Sequence, residues 1–333
     1  MHARSVIRQF RSAVGAVSAV VVASLLTVAT TAGPARADLV PYVPWSSHLA
    51  GWTDEYIPSS DNDCVAGRSN CLNATLKEQS RIADDTASTC SHNAIFARAY
   101  VRMTQLYGYT RAMPGYYQDV SYFNHVDAVF ARYYTDSYYN WQSGNRSAVP
   151  QSWLTALDAA KNKLVSGTGD LLLGMNAHIN RDLPYVMAAV GLVAPDGSSR
   201  KVDYTAVEAW LYQATAPLIA EFAARFDPSI DDTADPHGIS NAALFQMVSG
   251  WRENAWRNAE ALVSAPSPQA RALVAANIEA QANTVAQGIL ATQSYVPLLT
   301  STVPRDTYCA AHKADAPPVA YAFGYATAWG YAY

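Results

Sequence analysis

Charge is scarce in this 333-residue chain: Asp, Glu, Lys and Arg together make up 15% of it, against 50% hydrophobic residues. That balance excludes a mainly disordered chain, which needs low hydrophobicity and high net charge. Cysteine is sparse too. Cys64, Cys71, Cys90 and Cys309 are too few for a small scaffold held by disulfides alone. Several catalytic signatures are missing: there is no glycine-rich phosphate loop, no Gly-x-Ser-x-Gly elbow and no His-Glu-x-x-His zinc helix. Beyond the first 37 residues no run is long and apolar enough for a membrane-spanning helix.

Those first 37 residues read as an export signal. Arg4, Arg8 and Arg11 give a positive start, a run of small and apolar residues follows over 14–32, and Ala35-Arg36-Ala37 suits signal peptidase. Cleavage is expected before Asp38, and the protein is expected to be secreted. The remainder then carries 19 basic and 27 acidic side chains, a net charge of −8. A surface of that sign repels phosphate backbones, so no nucleic-acid partner is expected. All four cysteines follow the signal. An even count in an oxidising compartment suggests two disulfides. Three pairings are possible; a local Cys64–Cys71 clasp with Cys90–Cys309 tying distant segments is favoured.

Residues 38–90 are rich in Pro, Ser, Asp and Asn and read as an extended arm with one short helix near 77–84. From His92 the spacing turns helical. Ile95, Phe96, Ala99, Met103 and Leu106 share overlapping faces of one helix, and Val126, Val129, Phe130, Tyr133 and Tyr134 mark a second over 122–141. Pro150 opens a third, 171–190 is the most hydrophobic, and Asp203 is expected to cap a fifth, kinked at Pro217. Residues 240–263 form a sixth, and Ser267-Pro268 starts a seventh. The fold class is therefore all-α, a single-domain bundle of about seven helices over 91–303. Residues 304–333 form a C-terminal strap, in which Tyr321, Phe323 and Tyr325, then Trp329, Tyr331 and Tyr333, alternate as on an extended chain. Such a strap either seals the bundle or contacts cell envelope or polysaccharide.

The chemistry is concentrated in 171–184. A helix apolar at both ends carries Asn176, His178, Asn180, Arg181 and Asp182 in its middle. Buried polar groups are costly unless satisfied, so these must have partners. His178 and Asp182 share a face, as do Asn176 and Asn180, and Pro184 frees the carbonyl of Asn180 and invites a local bulge. Two chemistries fit. Either His178 and Asp182 bind a divalent metal such as zinc, with Asp127 as third ligand, or Asp182 orients His178 as a general base. A polar buttress without reactivity is the alternative. Asn176 and Asn180 would position a substrate, and Arg252, between Trp251 and Trp256, would clamp an anion. His125 lies two residues from Asp127 and points elsewhere; His92 starts its helix and is placed at a rim. Asp231-Asp232-Thr233-Ala234-Asp235 has the spacing of a magnesium-binding aspartate motif, but prolines and glycine around it make it loop punctuation.

The motif Leu171-Leu-Leu-Gly-Met-Asn-Ala-His-Ile-Asn-Arg-Asp-Leu-Pro184 resembles a bacterial family described only as a domain of unknown function. Asp127-Ala-Val-Phe-Ala-Arg-Tyr-Tyr134, Trp141, Val149-Pro150 and Trp251-Arg252 with Trp256 are similar too. The resemblance implies a helical fold and weight on His178, Asn180 and Asp182, without a reaction. The expected function is hydrolysis of an ester or phosphoester in a small-molecule or lipid-like substrate. The alternative is a non-catalytic extracellular binding or structural protein.

Overall fold

The computed structural model describes residues 55–231, 241–296, 299–300 and 303–323. The expected signal, the first part of the arm, Asp232–Asp235 and the tail from 324 lie outside the described residues. All described residues belong to one unit, Tyr42–Tyr333.

Helices dominate: α1 (Ser69–Ser88), α2 (Ala94–Arg111), α3 (Val120–Gln142), α4 (Gln151–Lys161), α5 (Gly167–Met175), α6 (Leu183–Val190), α7 (Lys201–Ala206), α8 (Glu208–Arg225), α9 (Asn241–Ser264), α10 (Pro268–Thr292) and α11 (Arg305–His312). A π-helical segment, Asn176–Asp182, joins α5 to α6. No β-strand occurs among the described residues, which hold only the isolated bridges Val165–Ser294 and Val193–Ser199. None of the described helices is long and apolar enough to cross a membrane.

The arm is less extended than expected. Instead of a short helix near 77–84, α1 runs for 20 residues and packs on α2 and α3. Its inward stripe is Leu72, Leu76, Gln79, Ala83 and Ala87, all buried. A polar Gln in the middle and two alanines at the end hide that stripe from a count of large apolar residues. Gly67, just before α1, has φ +65°, and a Cβ there would lie 1.8 Å from the Ser121 carbonyl oxygen. This close approach lets the Cys64–Cys71 disulfide close the turn. The second disulfide, Cys90–Cys309, ties the end of α1 to α11.

Asp203 does not cap the fifth helix. It lies inside α7, and its buried carboxylate accepts the backbone N–H groups of Gln118 (2.8 Å) and Asp119 (3.0 Å). Asp119 in turn caps α3 by accepting the Tyr122 amide at 3.0 Å. Two distant segments are thus fixed by one acid. Asp203→Ala should lower the unfolding free energy in urea by about 1–3 kcal/mol, the cost of unsatisfied buried donors.

The C-terminal strap contains α11, which the aromatic alternation did not suggest. Beyond it Tyr321 and Phe323 are buried and stacked, ring centroids 4.9 Å apart. The whole arrangement centres on the π segment, which packs against α3, α4, α9 and α10.

Candidate functional site

Ser166 starts α5 by accepting the Gly169 amide at 3.1 Å. The helix then widens into the π segment, as Pro184 cannot supply an N–H to the preceding turn. Gly174 keeps the last turn of α5 narrow: a Cβ there would come within 2.3 Å of the Phe96 ring. Gly174→Ala should therefore cost about 1–3 kcal/mol through overpacking, read as a lower melting temperature.

This local geometry delivers His178 to the centre of the protein. Its ring stacks on Phe130 with centroids 3.5 Å apart and planes 4° from parallel. The Tyr100 ring meets it edge-on at 4.5 Å. Nδ1 lies 3.2 Å from Asp182 Oδ2. The same oxygen accepts the Trp153 indole N–H at 2.8 Å, and Oδ1 accepts from the Arg181 guanidinium at 2.9 Å. Since the other partners of Asp182 are donors, its carboxylate accepts from the imidazole as well, and the proton sits on Nδ1. Nε2 then keeps its lone pair. It is buried, with no hydrogen-bond partner among the described residues. Burial pulls the imidazole below its ordinary 6.5, against the raising influence of Asp182, so the ring is neutral at pH 7.

The ring borders a cavity of about 200 Å³ lined by α2, α3, the 167–190 segment, the 201–225 segment that holds α7 and α8, and α9. Its walls are largely aliphatic and aromatic. Polar groups are few. The Tyr100 hydroxyl and Thr104 Oγ1 are buried without a partner among the described residues. Asp127 also lines the cavity. Burial raises its carboxyl from 3.8 to about 7, with Arg111 pulling the other way. Folding therefore opposes ionisation of Asp127: the penalty is absent below about pH 3.8, grows as pH rises and is complete above about 7. Thermal melts should find Asp127→Asn more stable than wild type at pH 8, with the difference vanishing near pH 4.

The other expected site residues lie elsewhere or are engaged. Asn176 donates to the Ala282 carbonyl at 2.9 Å and receives the Asn180 amide at 3.0 Å, so the pair fastens the π segment to α10 and does not border the cavity. Arg252 does border it, but its Nε meets Glu208 at 3.3 Å, its Nη2 donates to the Tyr204 carbonyl, and its plane lies over the Tyr204 ring. A clamp for a doubly charged phosphate is poorly served by a guanidinium so occupied. The metal triad is not assembled: among the described residues no three His, Cys, Asp or Glu side chains are grouped to hold an ion. Both Asp182 oxygens are also already used, so this donor set does not fit a metal. His125 turns to the Cys64 carbonyl at 2.8 Å. His92 is not at a rim but buried in a charged cluster, with Asp306 at 3.0 Å and Asp170 at 3.7 Å. Burial and Arg305 lower it to about 4.

Sequence reasoning missed Tyr100, Thr104, Phe130 and Trp153 as members of the site. Tyr100, Thr104 and Tyr107 do form an i, i+4, i+7 stripe on α2, yet such a stripe reads as ordinary core.

Fold and site together define an all-α protein with a largely apolar cavity bordered by a histidine whose ring is held by a buried aspartate. The chain belongs to the family described as a family of unknown function, DUF5995, whose profile it matches over residues 72–292. No curated protein and no solved structure matches the chain.

Proposed function

We propose that this is an exported hydrolase of small, predominantly apolar esters, with His178 as general base. The carrying observation is the neutral imidazole whose Nδ1 is held by Asp182 and whose Nε2 lone pair is unused beside the cavity. An orienting acid, a neutral base and hydrogen-bond donors for a developing oxyanion are the parts that water-mediated ester hydrolysis needs. The Tyr100 hydroxyl and Thr104 Oγ1 supply such donors. Nε2 has almost no exposed surface, so neighbouring side chains have to turn aside when substrate enters. The apolar walls and the engaged Arg252 favour carboxylic esters over anionic phosphoesters. Two disulfides support an oxidising compartment and hence export.

The test is a panel of neutral nitrophenyl esters assayed with wild type and His178→Gln. Turnover that falls by about 10²–10⁴-fold in a folded variant supports the base role. Equal rates in both overturn it. The apolar walls and the covered Nε2 favour a second reading, a non-catalytic carrier of a small apolar molecule. It is supported if ligands bind and no ester is turned over.

A further inference from the structure

Among the described residues Asp127 is the one acidic side chain bordering the cavity, and the charge that acts on it is Arg111, with no hydrogen bond or ion pair formed. The neighbouring charges are spoken for. Arg252 faces Glu208 and the Tyr204 carbonyl. Arg111, at the end of α2, donates to Asn124 at 3.2 Å. Tyr100, Tyr107 and Tyr117 also line the cavity, and all three are pushed upward by burial and by Asp127 itself. A carboxyl set into an apolar wall without a partner is costly, and natural proteins place such groups where a ligand supplies the missing interaction.

The surroundings say which ligand. Tyr100, Tyr107, Tyr117, Phe123 and Phe130 are all part of the cavity lining, on the same two helices, α2 and α3, or the turn between them. Aromatic faces attract a cation through their quadrupole, and quaternary ammonium groups are held in aromatic cages of this kind. A carboxylate among aromatic rings therefore suits an organic cation better than an inorganic one, which would need several oxygen ligands. The cavity exceeds the roughly 150 Å³ that admits a benzene molecule in an engineered apolar site, so a ring or short alkyl chain fits beside the charged head.

We propose that Asp127 recognises an ammonium group, so that the cavity takes an apolar amine or quaternary ammonium compound, and that the ester hydrolysed carries such a group. The inference rests on the cavity of the hydrolase reading, but its binding step does not depend on turnover. A cationic head at Asp127 would also draw its raised carboxyl, now near 7, back toward ionisation.

The experiment uses the purified full chain and a matched pair of probes at pH 8: phenyltrimethylammonium and its neutral isostere, tert-butylbenzene, in which a tert-butyl group replaces the trimethylammonium. Calorimetric titration should show the cation binding at least tenfold more tightly. Asp127→Asn should abolish that preference. Equal binding of the two probes by wild type overturns the proposal and requires no variant. A preference that survives in Asp127→Asn also overturns it. Hydrolysis is scored separately on neutral nitrophenyl esters and on trimethylammonium-bearing analogues. Cation preference without turnover of either ester upholds the recognition role of Asp127 and removes the hydrolase reading. Turnover of neutral esters with no preference for the cation does the reverse.

Discussion

Asp182→Ala is expected to lower the unfolding free energy by about 3–5 kcal/mol, and Asp182→Asn by clearly less. The carboxylate has no exposed surface and satisfies three donors at once: Trp153, His178 and Arg181. Alanine leaves the indole N–H and imidazole N–H unsatisfied in the interior. It also takes one charged partner from the largely buried Arg181 guanidinium, which keeps Glu279, 2.8 Å away on α10. Breaking one side of a buried charge pair is much costlier than exchanging the whole set for apolar groups, as the remaining charge is stranded. Asparagine keeps the volume and one oxygen, so packing persists. It removes the charge that fixes the Nδ1 proton, and its amide group competes with the donors already there. On the proposed hydrolase reading, ester turnover by Asp182→Asn should therefore fall by about 10²–10⁴-fold even where denaturant titration shows a folded protein. An alanine variant as stable as wild type would contradict the buried network. An asparagine variant with full turnover would contradict the role of Asp182 in orienting His178.

The π segment shows why part of this site is legible in the sequence. Polar residues inside an apolar helix must be satisfied, and Pro184 must disturb the hydrogen-bond ladder; both follow from residue chemistry alone. The direction each side chain takes does not. His178 and Asp182 do pair as their i, i+4 spacing suggests. Asn176, however, donates to the carbonyl of Ala282, a partner more than 100 residues away, and Asn180 donates to Asn176. Asp203 teaches the same point. Its position next to a helical run suggests a local cap, yet tertiary contact gives its carboxylate to Gln118 and Asp119. The helical bundle follows from spacing, the cysteine count implies two disulfides, and of the three possible pairings the favoured one is present. α1 escapes full recognition since its inward face holds Gln79 and alanines, and α11 since it is short and followed by an aromatic alternation that dominates the pattern. Cavities are harder still, being defined by what five elements fail to fill.

The aromatic alternation near the C-terminus leads to the second large effect. Glu221→Ala should cost about 3–5 kcal/mol and loosen the segment around Tyr321. Glu221 has no exposed surface and lies on α8. It receives a fork of two bonds from Arg102, Nε at 2.8 Å and Nη2 at 2.9 Å, a third bond from Arg225 at 2.6 Å and a fourth from the Tyr321 hydroxyl at 2.8 Å. Arg102 also lies over the Tyr321 ring, 5.1 Å from its centroid. One acid thus binds α2, α8 and the C-terminal segment together. The Arg102 hydrogen bonds hold its carboxyl below the usual 4.5 against the raising effect of burial. A depressed carboxyl stabilises the fold above about pH 4.5, and this contribution is lost as pH falls through the folded-state value. Acid titration should therefore destabilise wild type more steeply below pH 4.5 than it does Glu221→Ala, whose network is already broken. Tyr321→Phe removes only one of the four bonds and should cost about 1 kcal/mol. Arg102→Met combined with Glu221→Leu should recover much of the loss of Glu221→Ala, because no charge is then stranded at the pair itself. Denaturant titration of these variants, with limited proteolysis to follow the C-terminal segment, checks the argument: a double variant no more stable than Glu221→Ala would show that the fork contributes through its shape and not through the balance of its charges.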